Sequence, residues 1–538
     1  MDASRVIGPP GTGKTTYLSR QVRLAYEAGH GVMVCSLTRT AAAEVAGRDL
    51  PLSKDAIGTL HSHAYRALGW GKIEIADDPA HLAEWNEAHP NMALSAGRIL
   101  DEDNAAPGFG PTEADAAYAD YNNQRARLTE RTAWRQSTLF FATTWEHWKH
   151  EQLLMDFTDL LETALQETET APNAPSVIFA DEAQDFSALE MALLQRWGKP
   201  AGRLVIVGDP WQSLYSWRGA DANVVFPPAS ADRVLAQSYR VPQAVHAAAM
   251  RWIEKMPGFE PIEYLPTGDP GEIRQCPATA DHPQAAATVI EQALSDGKTT
   301  MYLASCARML RPMLAVLRAR GVPFQNAYRR AEGAWNPLQV RGTAKGGVSV
   351  TGAQRLAAFL RLGTEGIWTK DDVRRWAAAV KGSETFPDGQ SWKRLEPLLG
   401  NLPDRDAINM GLWETLVGEA AVEASMAQDL DWWLEHLLAS KRGGAVYPAA
   451  IARVRGRESL LAEPSVTIGT IHSVKGGEAD VVIVAPDVSV PGVAEWATSD
   501  AGKASIYRLF YVALTRAKQE VHILQPVKPS MAVRLAVA

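Results

Sequence analysis

Apolar runs too short to be helices recur along this chain, each ending in small or acidic residues. Val6-Ile7, Gly31 to Cys35, Ser176 to Ala180 and Arg203 to Val207 lack polar alternation, as strands covered on both faces of a parallel sheet do. Helical patterns separate them, with Thr40 placed to cap a helix opening over 40–45 and a further strand and turn over Asp55 to Ser62. The second half repeats the rhythm. It predicts a strand at Thr300 to Ser305, an amphipathic helix from Met309 to Arg320, a turn at Gly321 to Phe324 into another strand, and a helix from Ala353 to Leu362. Strands alternating with helices predict an α/β fold built on parallel sheets.

Two stretches break this pattern. From Gly71 acidic, alanine- and proline-containing sequence runs to Tyr121, and then Arg125, Arg127, Arg131 and Arg135 recur among Trp134, Trp145 and Trp148. That predicts a mostly helical insertion, either a solvated face over buried tryptophans or a nucleic-acid surface. The other stretch, Thr364 to Glu463, is rich in tryptophan and helix formers, including Leu412 to Ser440 with Trp432 and Trp433. Its basic residues Lys441, Arg442, Arg453, Arg455 and Arg457 fit contacts to duplex phosphates or an ordinary solvated surface.

Composition narrows the class. A chain of 538 residues exceeds one core and predicts three or four domains. An apolar fraction of 46% and a charged fraction of 22% belong to a soluble globular protein. The start, Met1-Asp2-Ala3-Ser4-Arg5, has no secretory apolar core, and no stretch approaches a membrane span, which predicts a cytoplasmic location without membrane contact. Cys35, Cys276 and Cys306 lie far apart without metal or disulfide spacing and read as buried small apolar residues. The net charge of −8 argues against coating nucleic acid through bulk positive charge but leaves room for a local basic groove.

The chemistry begins at Gly8-Pro9-Pro10-Gly11-Thr12-Gly13-Lys14-Thr15, a complete GxxxxGK[ST] loop directly after a strand end. Its glycines let backbone N–H groups turn inward around an anion, and the following helix adds its positive end. Lys14 would reach the β and γ phosphates of a nucleotide, Thr15 would place its hydroxyl on Mg²⁺, and Thr16 continues the cradle. The strand at 176–180 runs straight into Asp181-Glu182. An acid pair at a strand end is either a helix cap or, after a phosphate loop, a hydrolytic pair in which Asp181 holds Mg²⁺ and Glu182 orients and deprotonates water.

Around these residues the chain resembles a known family. DEAQD at 181–185, GDPWQSLYSWRGAD at 208–221 and LAQSYR at 235–240 resemble motifs II, III and IV of the UvrD/Rep/PcrA-like helicases of superfamily 1. SLTRTAAAEV at 36–45 is similar to motif Ia, GTLHS at 58–62 to the next DNA-contacting motif, and MDFTDLL at 155–161 to the segment before the acidic strand. VTIGTIHSVKGGEADVVIV at 466–484 resembles motif V and YRLFYVALTRAK at 507–518 motif VI.

The resemblance implies two RecA-like parallel-sheet motor domains: 1A over 1–70 and 172–239, and 2A over 240–363 and 464–538. Helical insertions 1B over 71–171 and 2B over 364–463 complete the expected organisation. It further implies ATP and Mg²⁺ as cofactors, single-stranded DNA and single-strand/duplex junctions as partners, and room for a protein loading partner. Gln212 would sense the γ phosphate, Arg240 and Arg516 would reach it from the second motor domain, Tyr239 would pack on adenine, and Glu478 would lie near the ribose. Trp217 would stack on a base, with Thr38, Arg39, His61, Arg218 and His472 as further DNA contacts.

The implied activity is ATP-driven 3′ to 5′ translocation on single-stranded DNA with duplex unwinding. A translocase that displaces bound proteins with little unwinding and a nucleotide-switched DNA-binding module are alternatives, and RNA is a less favoured substrate. Departures from the family stand at three places. No adenine-reading glutamine precedes Gly8, which leaves selectivity among triphosphates open; Leu37 replaces a stacking phenylalanine; and Gly477 replaces a bulkier apolar residue, predicting a more flexible loop. The short stretch after motif VI carries no expectation of an appended nuclease domain.

Overall fold

The first phosphate-loop glycine follows strand β1 (Asp2–Ile7), which lies inside a parallel sheet. The computed structural model of the chain describes residues 2–37, 47, 50–95, 112–220, 233–329, 333–339, 341–342, 348–389, 392–400 and 410–535. With β2 (Val32–Ser36), β3 (Ile57–Thr59), β4 (Val177–Asp181), β5 (Arg203–Gly208) and β6 (Arg233–Val234), β1 forms a six-stranded sheet of order β3-β2-β4-β5-β1-β6. Every pairing in it is parallel. All residues of β2 and β4 are buried, which is why their sequences show unbroken apolar runs. The helix Lys14–Glu27 covers one face with Leu18 and Val22, and the helix Ala188–Ala201 covers the other with Leu193, Leu194 and Trp197.

A second sheet comprises β7 (Glu272–Cys276), β8 (Thr300–Ala304), β11 (Val466–Thr470), β12 (Ala479–Val484) and β13 (Ala517–Leu524) in the order β11-β8-β12-β13-β7. It too is parallel throughout. The short strands β9 (Arg341–Gly342) and β10 (Val348–Ser349) pair antiparallel as a separate two-stranded sheet. The α/β class with two parallel sheets therefore stands. The strand expected after Phe324 does not form. It shrinks to one bridge, Gln325 to Thr467, because the Asn326 side chain accepts the N–H groups of Tyr328 and Arg329 and turns the chain. The Met309 to Arg320 helix begins later than expected, at Arg311, after a 3₁₀ turn over Ala307–Leu310. Pro312 sits in its first turn, where the missing N–H costs nothing.

The first insertion packs around Trp85, Tyr118, Tyr121, Phe141, Trp145 and Trp148, carried largely by the helices Glu113–Ala126 and Gln136–Glu151. Arg125 faces inward, against both expected surface readings. Its guanidinium meets Asp156 at 3.0 Å, and Asp159 and Glu162 at 2.6 Å, while Lys149 adds a second cation 2.5 Å from Asp156. Burial works to raise the Asp156 carboxyl, but Arg125 and Lys149 outweigh it and hold the group well below the usual carboxylate range. This contribution to stability is present above about pH 4, the unfolded value, and is lost as pH falls through the native one. Arg125→Ala leaves Lys149 alone to balance the buried acids Asp156 and Asp159, and approaches the cost of about 3–5 kcal/mol seen when one partner of a buried ion pair is removed. The earliest unfolding transition of the full chain in urea, followed by tryptophan fluorescence, moves to lower denaturant; an unmoved transition contradicts this account.

In the second tryptophan-rich stretch, the core runs without a break from Tyr302, Ile468 and Ile483 of the sheet to Phe359, Trp368, Trp376, Trp413 and Trp433. Two of its arginines bond within the stretch and two tie it to the residues that precede it. Arg442 donates to the Glu435 carbonyl at 2.8 Å, Arg453 pairs with Asp431 at 2.6 Å, Arg455 donates to Gly321 at 3.2 Å and Arg457 to Ala357 at 2.7 Å. Cys35 and Cys276 are buried as expected, whereas Cys306 is only partly covered. Among the described residues no helix is long and apolar enough to cross a membrane. The helix expected to open at Thr40 falls outside the described residues.

Candidate active site

At the end of β1 the chain turns through Gly11 and Gly13, whose φ of 75° and 78° place both in the left-handed region. Thr12 Oγ1 donates to the Pro9 carbonyl at 2.8 Å, tightening the loop. Gly13 then opens the helix Lys14–Glu27 with no capping side chain and no acid in its first turn, which suits the helix start to an anion. Lys14 is buried and folds back across the loop to donate to the Gly8 carbonyl at 2.7 Å.

Beside it β4 ends at Asp181, buried, whose Oδ1 accepts the Glu182 N–H at 3.0 Å. Glu182 has a φ of 52°, a strained conformation for a side chain of this kind and one that turns it toward the cleft. From its carboxylate a hydrogen-bonded relay crosses the site. Gln184 Nε2 donates to Glu182 at 2.8 Å, the Asp209 N–H to Gln184 Oε1 at 2.9 Å, Gln212 Nε2 to Asp209 at 2.6 Å, and Arg516 Nη2 to Gln212 Oε1 at 2.8 Å.

Arg516 comes from the second sheet's side, 1% exposed, and also donates to the Val512 and Gly477 carbonyls at 3.1 Å. Burial, helped by nearby Arg240, lowers its pKa to about 10, so it stays a cation at neutral pH. Arg240 pairs through Nε with Glu478 at 2.7 Å. Tyr239 is 79% exposed, and its N–H donates to the Gly11 carbonyl at 2.8 Å. Ser238 and Tyr264 hydroxyls both donate to the Pro10 carbonyl, at 2.9 and 3.0 Å.

These residues enclose a cleft of about 390 Å³ lined by Pro10 to Thr16, Glu182, Gln212, Tyr239, Arg240, Gly476, Glu478 and Arg516. Gly8, Pro9 and Asp181 lie behind that wall. Backbone N–H groups with the cations Lys14, Arg240 and Arg516 suit a polyanion. The Thr15 hydroxyl and Asp181 carboxylate are hard oxygen donors that suit Mg²⁺. No group of three metal-binding side chains occurs among the described residues, and a Mg²⁺ ion held by one or two protein oxygens plus phosphate needs none.

Lys475, quoted in its motif but given no role from sequence, reaches across the cleft. Its Nζ pairs with Asp185, lies 3.3 Å from Glu182 and donates to the Gln212 carbonyl at 2.9 Å. Burial by itself raises the Glu182 pKa, but Lys475 and Lys14 overcome it and bring the carboxyl down to about 2, leaving it charged. Asp185, buried deeper, is pushed up to about 6. A charged residue directly before a glycine pair is common, so only the fold marks Lys475. Gly477 corrects the flexibility expected of its loop. An added Cβ would stand 2.7 Å from the Tyr328 hydroxyl and 2.8 Å from Met301 Cε, and its carbonyl is held by Arg516. A side chain there would have to push aside the ends of Tyr328 and Met301.

A second hollow of about 330 Å³ lies between the first sheet's edge and the helix Glu113–Ala126, lined by Leu37, His61, Phe157, Trp217 and Arg218 among others. His61 and Phe157 meet edge to face at 5.8 Å, and burial lowers the His61 pKa, keeping it neutral. Trp217 is anchored by Asn123 Nδ2, which donates to its carbonyl at 3.1 Å. His472 lies apart, its ring 6.3 Å from Tyr215 on the second sheet's side. Thr38 and Arg39 fall outside the described residues.

Comparison with known proteins finds two family matches, the AAA domain over residues 2–218 and the UvrD-like helicase C-terminal domain over residues 446–525. The curated ATP-dependent DNA helicase UvrD2 of Mycobacterium tuberculosis is 25% identical across 96% of this chain and 75% of its own length. DNA helicase II of Escherichia coli is 25% identical across 47% of this chain and 38% of its own.

Proposed function

Since this chain belongs to the UvrD/Rep-like helicase family, we propose that it hydrolyses ATP to travel 3′ to 5′ along single-stranded DNA and to separate duplex strands. The observation that supports the hydrolytic part of this reading is the relay from Glu182 through Gln184, Asp209 and Gln212 to Arg516, because it ties a candidate hydrolytic acid on one sheet to a cation on the other; polarity and strand separation rest on the resemblance to the family. Residues 1–70 and 172–239 would form one motor domain and 240–363 with 464–538 the other, with 71–171 and 364–463 as insertions. The site of action would be the cytoplasm.

In this mechanism Lys14 and the loop N–H groups hold the β and γ phosphates. Thr15 and Asp181 would hold Mg²⁺, which supplies neutralising charge at the phosphates. Glu182 accepts the proton of the attacking water, and Gln212, Arg240 and Arg516 surround the γ phosphate. Tyr239 packs against the base and Glu478 lies by the ribose. The Arg240–Glu478 pair must open to free both for the nucleotide. Drawing Arg240 and Arg516 onto the phosphate closes the two sheets together and moves a strand stacked on Trp217, with Arg218, His61 and His472 along its path.

The test is a partial duplex with a 3′ tail beside one with a 5′ tail, each with and without ATP. ATP-dependent unwinding confined to the 3′-tailed duplex is expected. Unwinding only of the 5′-tailed duplex overturns the polarity. DNA-stimulated hydrolysis without strand separation favours a translocase that displaces bound proteins, and no DNA stimulation overturns the reading.

A further inference from the structure

Asp185 closes the acidic run that begins at Asp181, yet it does not line the nucleotide cleft. Its side chain is 2% exposed, and its Oδ1 accepts the Leu214 N–H at 3.2 Å. Lys475 arrives from the turn between β11 and β12 with a side chain only 10% exposed. Besides Asp185 it touches Glu182 at 3.3 Å and the Gln212 carbonyl at 2.9 Å, and it stands 5.7 Å from the centre of the Tyr215 ring. Tyr215 in turn lies 6.4 Å from the Trp217 ring.

One buried cation on the second sheet thus grips both ends of a short segment of the first. At one end are Glu182 and Gln212, which face the cleft; at the other are Leu214 and Tyr215, which lead into the Trp217 groove. A buried charge held by this many partners tolerates little displacement, because moving it away from either carboxylate leaves charge uncompensated. A shift of the 214–217 segment therefore reaches Glu182 through Lys475 and Asp185, independently of the relay through Gln184 and Asp209.

We infer that Asp185 and Lys475 form a strut across the cleft, a pair of positioning residues through which a strand in the Trp217 groove sets the placement of Glu182. The inference rests on the DNA-stimulated ATPase reading above. It assigns the pair to the coupling between DNA and hydrolysis and not to nucleotide binding.

The experiment measures steady-state ATP hydrolysis by the full chain with and without a single-stranded oligonucleotide, beside titration of a fluorescent ADP analogue. It compares the wild type with Lys475→Met, Lys475→Arg, Asp185→Asn and the double variant Asp185→Asn/Lys475→Met. The stimulation ratio, kcat with DNA over kcat without, is expected to fall about tenfold in Asp185→Asn; Lys475→Met, which also removes a charge beside Glu182, lowers turnover in both conditions and lowers the ratio by a similar factor. The analogue's Kd and the KM for ATP stay near wild type. Lys475→Arg recovers part of the ratio, and the double variant loses no more than either single one, because both residues serve one strut.

Equal losses with and without DNA, or a ratio that stays at its wild-type value, overturn the inference. Asp185→Asn keeps the shape and the acceptor for Leu214, and it carries the test alone if Lys475→Met does not fold. A wild-type protein without DNA stimulation overturns the proposed function instead, and the strut with it.

Discussion

Glu182→Gln lowers DNA-stimulated ATP hydrolysis by about 10²- to 10⁴-fold while nucleotide stays bound, the range expected when a general base is removed from a hydrolytic site. The substitution keeps the side chain's size, so Glu182's strained backbone and its contact with Gln184 are little disturbed. What changes is the proton acceptor. In the native site Lys475 and Lys14 keep the carboxylate charged, and an amide has no comparable basicity. In the proposed mechanism nucleotide binding depends on a different set of atoms, Lys14 and the loop N–H groups, which the amide does not touch. Steady-state hydrolysis beside a nucleotide-analogue titration reads the two effects separately. Hydrolysis within tenfold of wild type would show that another group takes the proton.

Arg516→Ala produces the second large effect, a loss of about 10³- to 10⁵-fold in kcat, as for other arginines that reach a transferring phosphoryl group across a cleft. The environment explains why lysine is a poor replacement. The guanidinium makes bonds in three directions at once, to Gln212 Oε1, Gly477 O and Val512 O. A lysine ammonium on a flexible stem lacks that planar fork. Arg516→Lys therefore recovers little, although it restores the charge. Affinity for single-stranded DNA, read by fluorescence anisotropy, changes far less than kcat, because the Trp217 groove shares no lining residue with the cleft that holds Arg516. An Arg516→Lys variant with near wild-type turnover would mean that charge alone suffices and that the fork geometry is incidental.

Much of this site could be read before any fold was known. The phosphate loop is local: glycine spacing and a following helix are enough to define an anion cradle, and its residues do line one cleft with Glu182, Gln212, Tyr239, Arg240, Glu478 and Arg516. Unbroken apolar runs marked β2, β4 and β5 because strands buried on both faces need no alternation. The failures share a cause. Arg125 looked like a surface cation because the acids that neutralise it, Asp156, Asp159 and Glu162, lie more than thirty positions on in the chain. The strand after Phe324 was lost to a side-chain turn at Asn326, a competition between local hydrogen bonds that hydrophobic pattern does not register. Gly477 was read as freedom, whereas in the fold Arg516 holds its carbonyl and the ends of Tyr328 and Met301 crowd its position.

What the sequence determined by itself was therefore every feature set by neighbours along the chain: the α/β class, the phosphate cradle, the acid pair at a strand end, and the family motifs. Tertiary structure decided which of those features face one another. Glu182 and Arg516 stand more than three hundred positions apart, as Asp185 and Lys475 nearly do, and they meet only because two parallel sheets present their strand ends to a common cleft. Coulomb attraction and hydrogen bonding act over a few ångströms of space and are indifferent to separation along the chain. The residues proposed to bind phosphate could thus be found in the order of the letters, while the proposed strut joining that site to the tryptophan groove exists only in the fold.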